Sequence, residues 1–265
     1  MSFSVARALA IFRKDVLELR KNRGLVWSML TLPLVIVVTP LGVVWAYVRN
    51  PTDSGVKALA LYYDLSVDLS NAARFLVDKV LADWFTIYLV MPVFVPILIS
   101  SHAVAGEKEK RTLEPLLASP VTPLELVVGK SLASLVPSVA VCLLAFSLLC
   151  VGVDVVAWPL AHELVLPNRM WAFGVLVIAP LFAFFGNGVA VLISARVGDS
   201  RLAQQLAGLM VLPLVGLAAG QFAGWLKAGL GYYALIGGLV LLLDVAIVVV
   251  ARRLFDRERL MSRWG

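Results

Sequence analysis

The densest run of side chains able to do chemistry is Glu107, Lys108, Glu109, Lys110 and Arg111. It opens the stretch Gly106 to Lys130, GEKEKRTLEPLLASPVTPLELVVGK, which lies between two strongly apolar segments. What this stretch offers is recognition. Leu113, Leu116 and Leu117 form one apolar ridge, and Glu107 to Arg111 with Glu114 form a charged rim. An apolar centre with polar edges is the usual anatomy of an interface. Pro120 and Pro123 then break the chain, and Thr122 can cap a new helix with Pro123 in its first position. Glu125 falls three residues after that cap, which completes a capping box and predicts a helix restarting near Pro123. A charged loop with helix signals at both ends reads as a docking surface rather than a tether.

Other chemistry-bearing residues are sparse. Asp244 stands in Leu-Leu-Leu-Asp-Val, within a long apolar run. A carboxylate in hydrocarbon costs several kcal/mol, from roughly 2.5 upward, so it must face protein or water. Two readings stay open: a cation or proton site in a pathway, or a carboxyl hydrogen-bonded to Ser, Asn187 or a neighbouring backbone carbonyl. His102 and His162 have no second His or Cys placed to make a metal site. Cys142 and Cys150 lie eight residues apart in one helix, hence about 12 Å apart and unable to bridge. No Gly-x-Ser-x-Gly elbow and no His-Glu-x-x-His is present. Gly106-Glu-Lys and Gly129-Lys-Ser lack the upstream glycine of a phosphate loop, so no ATPase is expected in this chain.

The elements that position these residues follow from composition. Of 265 residues, 61% are hydrophobic and 15% charged, against about half and about a quarter in a soluble domain. Windows of roughly 20 apolar residues point to a polytopic helical membrane protein. The expected architecture is all-α, one transmembrane domain over residues 1–265 with six spans, near 25–48, 84–104, 127–151, 170–195, 202–224 and 232–251. Prolines 33, 40, 92, 96 and 137 fall inside spans, where neighbouring helices can satisfy the carbonyls they free. Residues 1–24 read as an interfacial amphipathic helix, with Val5, Leu9, Phe12, Val16 and Leu19 on one face. A second amphipathic helix is expected to lead from about Leu69 into the second span, with Lys79 and Asp83 paired four apart. Asp154 to Arg169 is expected as an outer loop. Gly216, Gly220 and Gly224 give the fifth span a face on which another helix can approach closely.

Charge sets the orientation. The net charge of +6 would suggest nucleic acid in a soluble protein, but in a membrane protein Lys and Arg gather in cytoplasmic loops. Of 23 Lys and Arg, 17 fall in the N-terminal segment, the 106–130 stretch, the Arg196–Arg201 link and the tail. Both termini and the docking loop are therefore expected in the cytoplasm, which requires an even number of spans.

This organisation, with Glu107, Glu109, Thr112, Leu113, Glu114, Leu116, Leu117, Ser119, Pro120, Glu125, Gly129 and Lys130 in their observed order, resembles the permease subunit of an ATP-binding-cassette exporter. The similarity is to the type-2 permease superfamily, the type V exporter fold; Arg111 stands where that family carries glycine. The resemblance implies that 106–125 is a cytoplasmic coupling helix seated on a separate ATPase subunit, with the N-terminal helix alongside. It implies a dimer of permeases, homo- or heterodimeric, with two ATPases in the plasma (bacterial inner) membrane. No cofactor is expected in this chain; ATP and Mg would belong to the partner ATPase. The remaining partner is membrane lipid, with no nucleic acid. The rival classes are a secondary transporter or a channel using Asp244 as an intramembrane ion site. A secondary transporter often shows related halves, and no clear internal repeat is visible.

Overall fold

The computed structural model of the chain describes residues 3–49, 69–109, 121–197, 199–227 and 229–261. Among them there is no strand, and six helical segments are long and apolar enough to cross a membrane. The N-terminal helix α1 (Val5–Lys21) ends at Asn22, whose N–H donates to Glu18 O and Leu19 O. Asn22 Oδ1 then accepts from Leu25 N at 3.1 Å, so one residue closes α1 and starts α2 (Arg23–Arg49), the first span.

Both prolines of the first span are buried inside its helix. Pro40 has no N–H to give Ile36 O, four residues earlier. The structure shows what replaces it: Trp84 Nε1 donates to Ile36 O at 3.0 Å. The second span comprises α3 (Leu69–Tyr88) and α4 (Val90–Glu109), joined at Leu89, so the expected lead-in helix passes directly into it. The expected Lys79–Asp83 pair is made on its first turns. This span is the axis of the fold. Phe85, Tyr88, Leu89, Met91, Val93, Val95 and Ile97 are fully buried in it.

The third span, α5 (Pro123–Ala161), is 39 residues long and extends ten residues past the expected end. Val153 and Ala157 lie four apart and are buried, which holds the last turns against the bundle despite Pro159. Asp154 is therefore in the helix and not in a loop. Its carboxylate accepts from Val165 N (2.8 Å) and Leu166 N (3.0 Å), folding the outer connection back onto the helix end. The fourth span consists of α6 (Arg169–Phe173), a wider π turn (Gly174–Ile178) and α7 (Ala179–Arg196). A Cβ on Gly186 would sit 2.4 Å from Val93 O, so the fourth span lies directly on the backbone of the second. The fifth span is α8 (Ser200–Gly208), a 3-10 turn (Leu209–Val211) and α9 (Leu212–Phe222); the sixth is α10 (Leu230–Met261). Ile178 meets Gly237 and Ile247 meets Gly188, at the same offset, so the fourth and sixth spans run parallel in fixed register.

The outer half of the core is aromatic. Phe85 packs edge-on to Trp171 and to Tyr233, both at 4.7 Å between ring centroids, and Tyr88 packs on Trp171 at 5.3 Å. Tyr233 OH donates to Ala82 O at 3.0 Å, and Thr86 Oγ1 donates to Gln221 Oε1 at 2.6 Å. These bonds tie the outer ends of the second, fifth and sixth spans together.

Candidate functional site

The charged loop is framed on both sides. On the entry side the helix of the second span continues to Glu109, so the backbone of Glu107 and Glu109 is helical. Arg111, Thr112, Leu113, Glu114, Leu116, Leu117 and Pro120 lie outside the described residues. On the exit side the helix restarts where the capping box predicts. Glu125 N donates to Thr122 Oγ1 at 3.3 Å, and Thr122 N donates to Glu125 Oε2 at 2.8 Å.

Glu125 does more than cap. Its side chain is fully buried, and Oε1 also accepts from Ser4 N at 2.6 Å and from Arg7 Nη2 at 2.7 Å. Arg7 Nε adds a bond to Oε2 at 3.0 Å, making a two-pronged guanidinium–carboxylate pair. Hydrogen bonding to Glu125 raises the Arg7 guanidinium above its ordinary value, against a smaller opposing effect of desolvation. About one turn further along, the two helices touch at backbone distance. A Cβ on Gly129 would meet Ala8 O and Ile11 Cβ, each at 2.8 Å. Next to that crossing Lys130 Nζ donates to Asp15 Oδ2 at 3.5 Å, with both side chains buried. Buried charges persist only when paired, so these two ion pairs fix α1 to the N-terminal end of the third span.

Ser4, Arg7, Asp15 and Gly129 were not singled out as a set by the sequence. One signal was available. Ala8, Ile11 and Leu19 are the buried apolar residues of α1, and Asp15 falls on that same face. A carboxylate on a buried helical face needs a cation on the facing element. The apolar face read from spacing only partly coincides with it: Leu19 is buried, but Val5 and Leu9 are exposed, at 63% and 43%. Thus α1 has two apolar sides, one against the third span and one open.

The other residues picked from sequence sit elsewhere. Asn187 is buried, and its Oδ1 accepts from Ser100 (2.7 Å) and Ser134 (2.6 Å), linking the second, third and fourth spans near their inner ends. Asp244 is buried in the sixth span, and neither of its carboxylate oxygens has a hydrogen-bond partner among the described residues. Of the expected glycine face, Gly216 looks onto open space and Gly220 meets Leu226 of the following turn. Gly224 has φ 76° and ends the helix, a left-handed position that favours glycine. Within the described chain, then, no helix packs on these three.

No curated protein matches the chain. The family model described as ABC-2 family transporter protein matches residues 9–257, from within α1 through the framed loop and all six apolar helices. A chain matched over nearly its whole length, with six helices long and apolar enough to span a membrane among its described residues, belongs to the ABC-2 transporter family of membrane permeases.

Proposed function

We propose that the chain is the membrane permease subunit of an ATP-driven exporter, working as a dimer and powered by a separate ATPase subunit. The observation that carries this is the framing of the 106–125 loop. The most buried helix of the bundle runs into its charged block, and the helix after it begins on a cap that is bonded to α1. A soluble motor binding the intervening residues would thereby hold the ends of two spans. Glu107, Glu109, Arg111, Thr112, Glu114, Pro120 and Glu125 supply the rim and shape of the docking surface, and Leu113, Leu116 and Leu117 its apolar ridge. Movement of that surface would shift the spans as rigid bodies. The open apolar side of α1 suits the membrane interface, and the excess of Lys and Arg in the terminal segments and the charged loop supports both termini in the cytoplasm, with the protein in the bacterial inner membrane. Hydrolysis and Mg binding belong to the partner chain. Gly216, on open surface, is available to a second permease copy.

The test is co-purification from the native membrane. A nucleotide-hydrolysing subunit is expected to copurify, and Leu113→Asp, Leu116→Asp, Leu117→Asp is expected to release it. Full retention of the ATPase by the triple variant would remove the docking surface. A second reading, an ion or proton site at Asp244, is favoured by its two unpartnered oxygens. Asp244→Asn with full transport and unchanged ion dependence eliminates it.

A further inference from the structure

The joint between α1 and the first span carries Arg20, Lys21 and Arg23, three cations within four residues and all exposed. Among the described residues none of their side chains makes a hydrogen bond or ion pair. The nearby acids are engaged elsewhere: Glu18 lies 3.8 Å from Lys14, and Asp15 faces Lys14 and Lys130. Arg20 and Lys21 suit the carbonyl end of α1, but Arg23 stands at the amino end of α2, where the helix dipole disfavours a cation. An anion lying over the joint would satisfy all three. We propose that this joint binds one anionic phospholipid, with its headgroup held by Arg20, Lys21 and Arg23 and an acyl chain laid along the first span.

The track for the chain is visible in the spacing. Arg23, Trp27, Leu30, Leu34 and Val38 follow one another at steps of four, three, four and four, which is one stripe of a helix. The four apolar members are all exposed, Trp27 at 71%. From Trp27 to Val38 the stripe is about 16 Å long, half of a hydrocarbon layer roughly 30 Å thick. That is the depth of one leaflet, so the stripe takes a single lipid tail from the headgroup region to the bilayer midplane. Trp27 marks the shallow end, where exposed indole rings settle at headgroup level. Arg23 stands one helical turn beyond it, at the height of the phosphate. Gly24 keeps the ground beside Arg23 open: the nearest contact of a Cβ there would be Asn22 Oδ1, at 3.6 Å.

α1 adds to the site from the other side of Asn22. Its exposed residues Leu9, Arg13, Leu17 and Arg20 share one helical face, so the open apolar side of α1 is also basic. Each basic residue at an anionic membrane surface is worth about fivefold in affinity. A soluble anion would meet the charge but has no use for Trp27 and Leu30, which lie in a membrane-crossing helix. The cations and the apolar stripe are continuous, and only a lipid carries both matching parts. The site depends neither on an ATPase nor on which leaflet α1 faces, so it stands apart from the proposed function.

The experiment uses the full-length protein, with the subunits that copurify with it, in phosphatidylcholine vesicles. Cys142 and Cys150 are replaced by alanine, and a fluorophore is placed beside the stripe at Val35→Cys or far from it at Leu242→Cys, both exposed positions. Quenching by chain-nitroxide phosphatidylglycerol is compared with quenching by chain-nitroxide phosphatidylcholine at equal mole fraction. At position 35 the anionic lipid is expected to quench with about fivefold or greater preference, shrinking as salt is raised. At position 242 no such preference is expected. Arg20→Gln, Lys21→Gln and Arg23→Gln together are expected to abolish it at position 35; these side chains make no contact whose loss would unfold the protein. Equal quenching by the two lipids at position 35, or a preference that survives the triple variant, overturns the site. The same preference at position 242 also overturns it, since it would report a diffuse surface charge rather than a bound lipid.

Discussion

Lys130 and Asp15 form an ion pair that water hardly reaches, with side-chain exposures of 5% and 8%. Lys14 Nζ lies 3.6 Å from the other oxygen of Asp15, so removing Lys130 weakens the compensation of that carboxylate rather than abolishing it. Lys130→Met is expected to lower stability by about 1–3 kcal/mol, whereas Asp15→Leu with Lys130→Met should recover most of the loss, since apolar replacement of a buried pair is often neutral. A double-mutant cycle on detergent-solubilised protein checks this, and strictly additive losses would contradict it. Glu125 is legible in sequence only as a cap. That it also binds Arg7 depends on a contact between residues 118 positions apart, which no local spacing encodes. Asn187 was legible as polar and buried; its two serine donors come from different helices and were not.

At the scale of helices, the prolines of the first span carry a specific requirement. Trp84→Phe keeps the ring but leaves Ile36 O without the donor that Pro40 cannot provide. The expected cost is about 1–3 kcal/mol, the penalty for a buried unpaired carbonyl, read as a lower unfolding midpoint. Wild-type stability in that variant would show that another donor takes over. Gly129→Leu is expected to push α1 off the third span, because the new side chain would begin 2.8 Å from Ala8 O. Faster proteolysis near Asn22 would report it. The six spans were legible because apolar length alone signals them. Their ends were not. The third helix outruns its expected end because Val153 and Ala157 find buried partners, which is a tertiary fact.

For the whole molecule, Asp244 lies without a hydrogen-bond partner among the described residues in the sixth span, which is held in register against the fourth. Asp244→Leu is expected to stabilise the resting protein, since an orphan carboxyl is replaced by an apolar chain. If Asp244 serves transport, the same variant loses it while gaining thermal stability. The bonding of α1 to the third span was not legible, because helix order in sequence does not give helix neighbours in space.

The axial second helix has a consequence for the surrounding bilayer. Its side chains from Leu76 to Ser101 are almost wholly enclosed by protein, so acyl-chain length has little grip on it. The first and third helices present broad greasy flanks, including Val35, Val38, Leu144 and Leu148, and must tilt when the hydrocarbon layer thins. Thin and thick host membranes should therefore retune the outer helices around a stationary hub, making lipid thickness a dial on this machine.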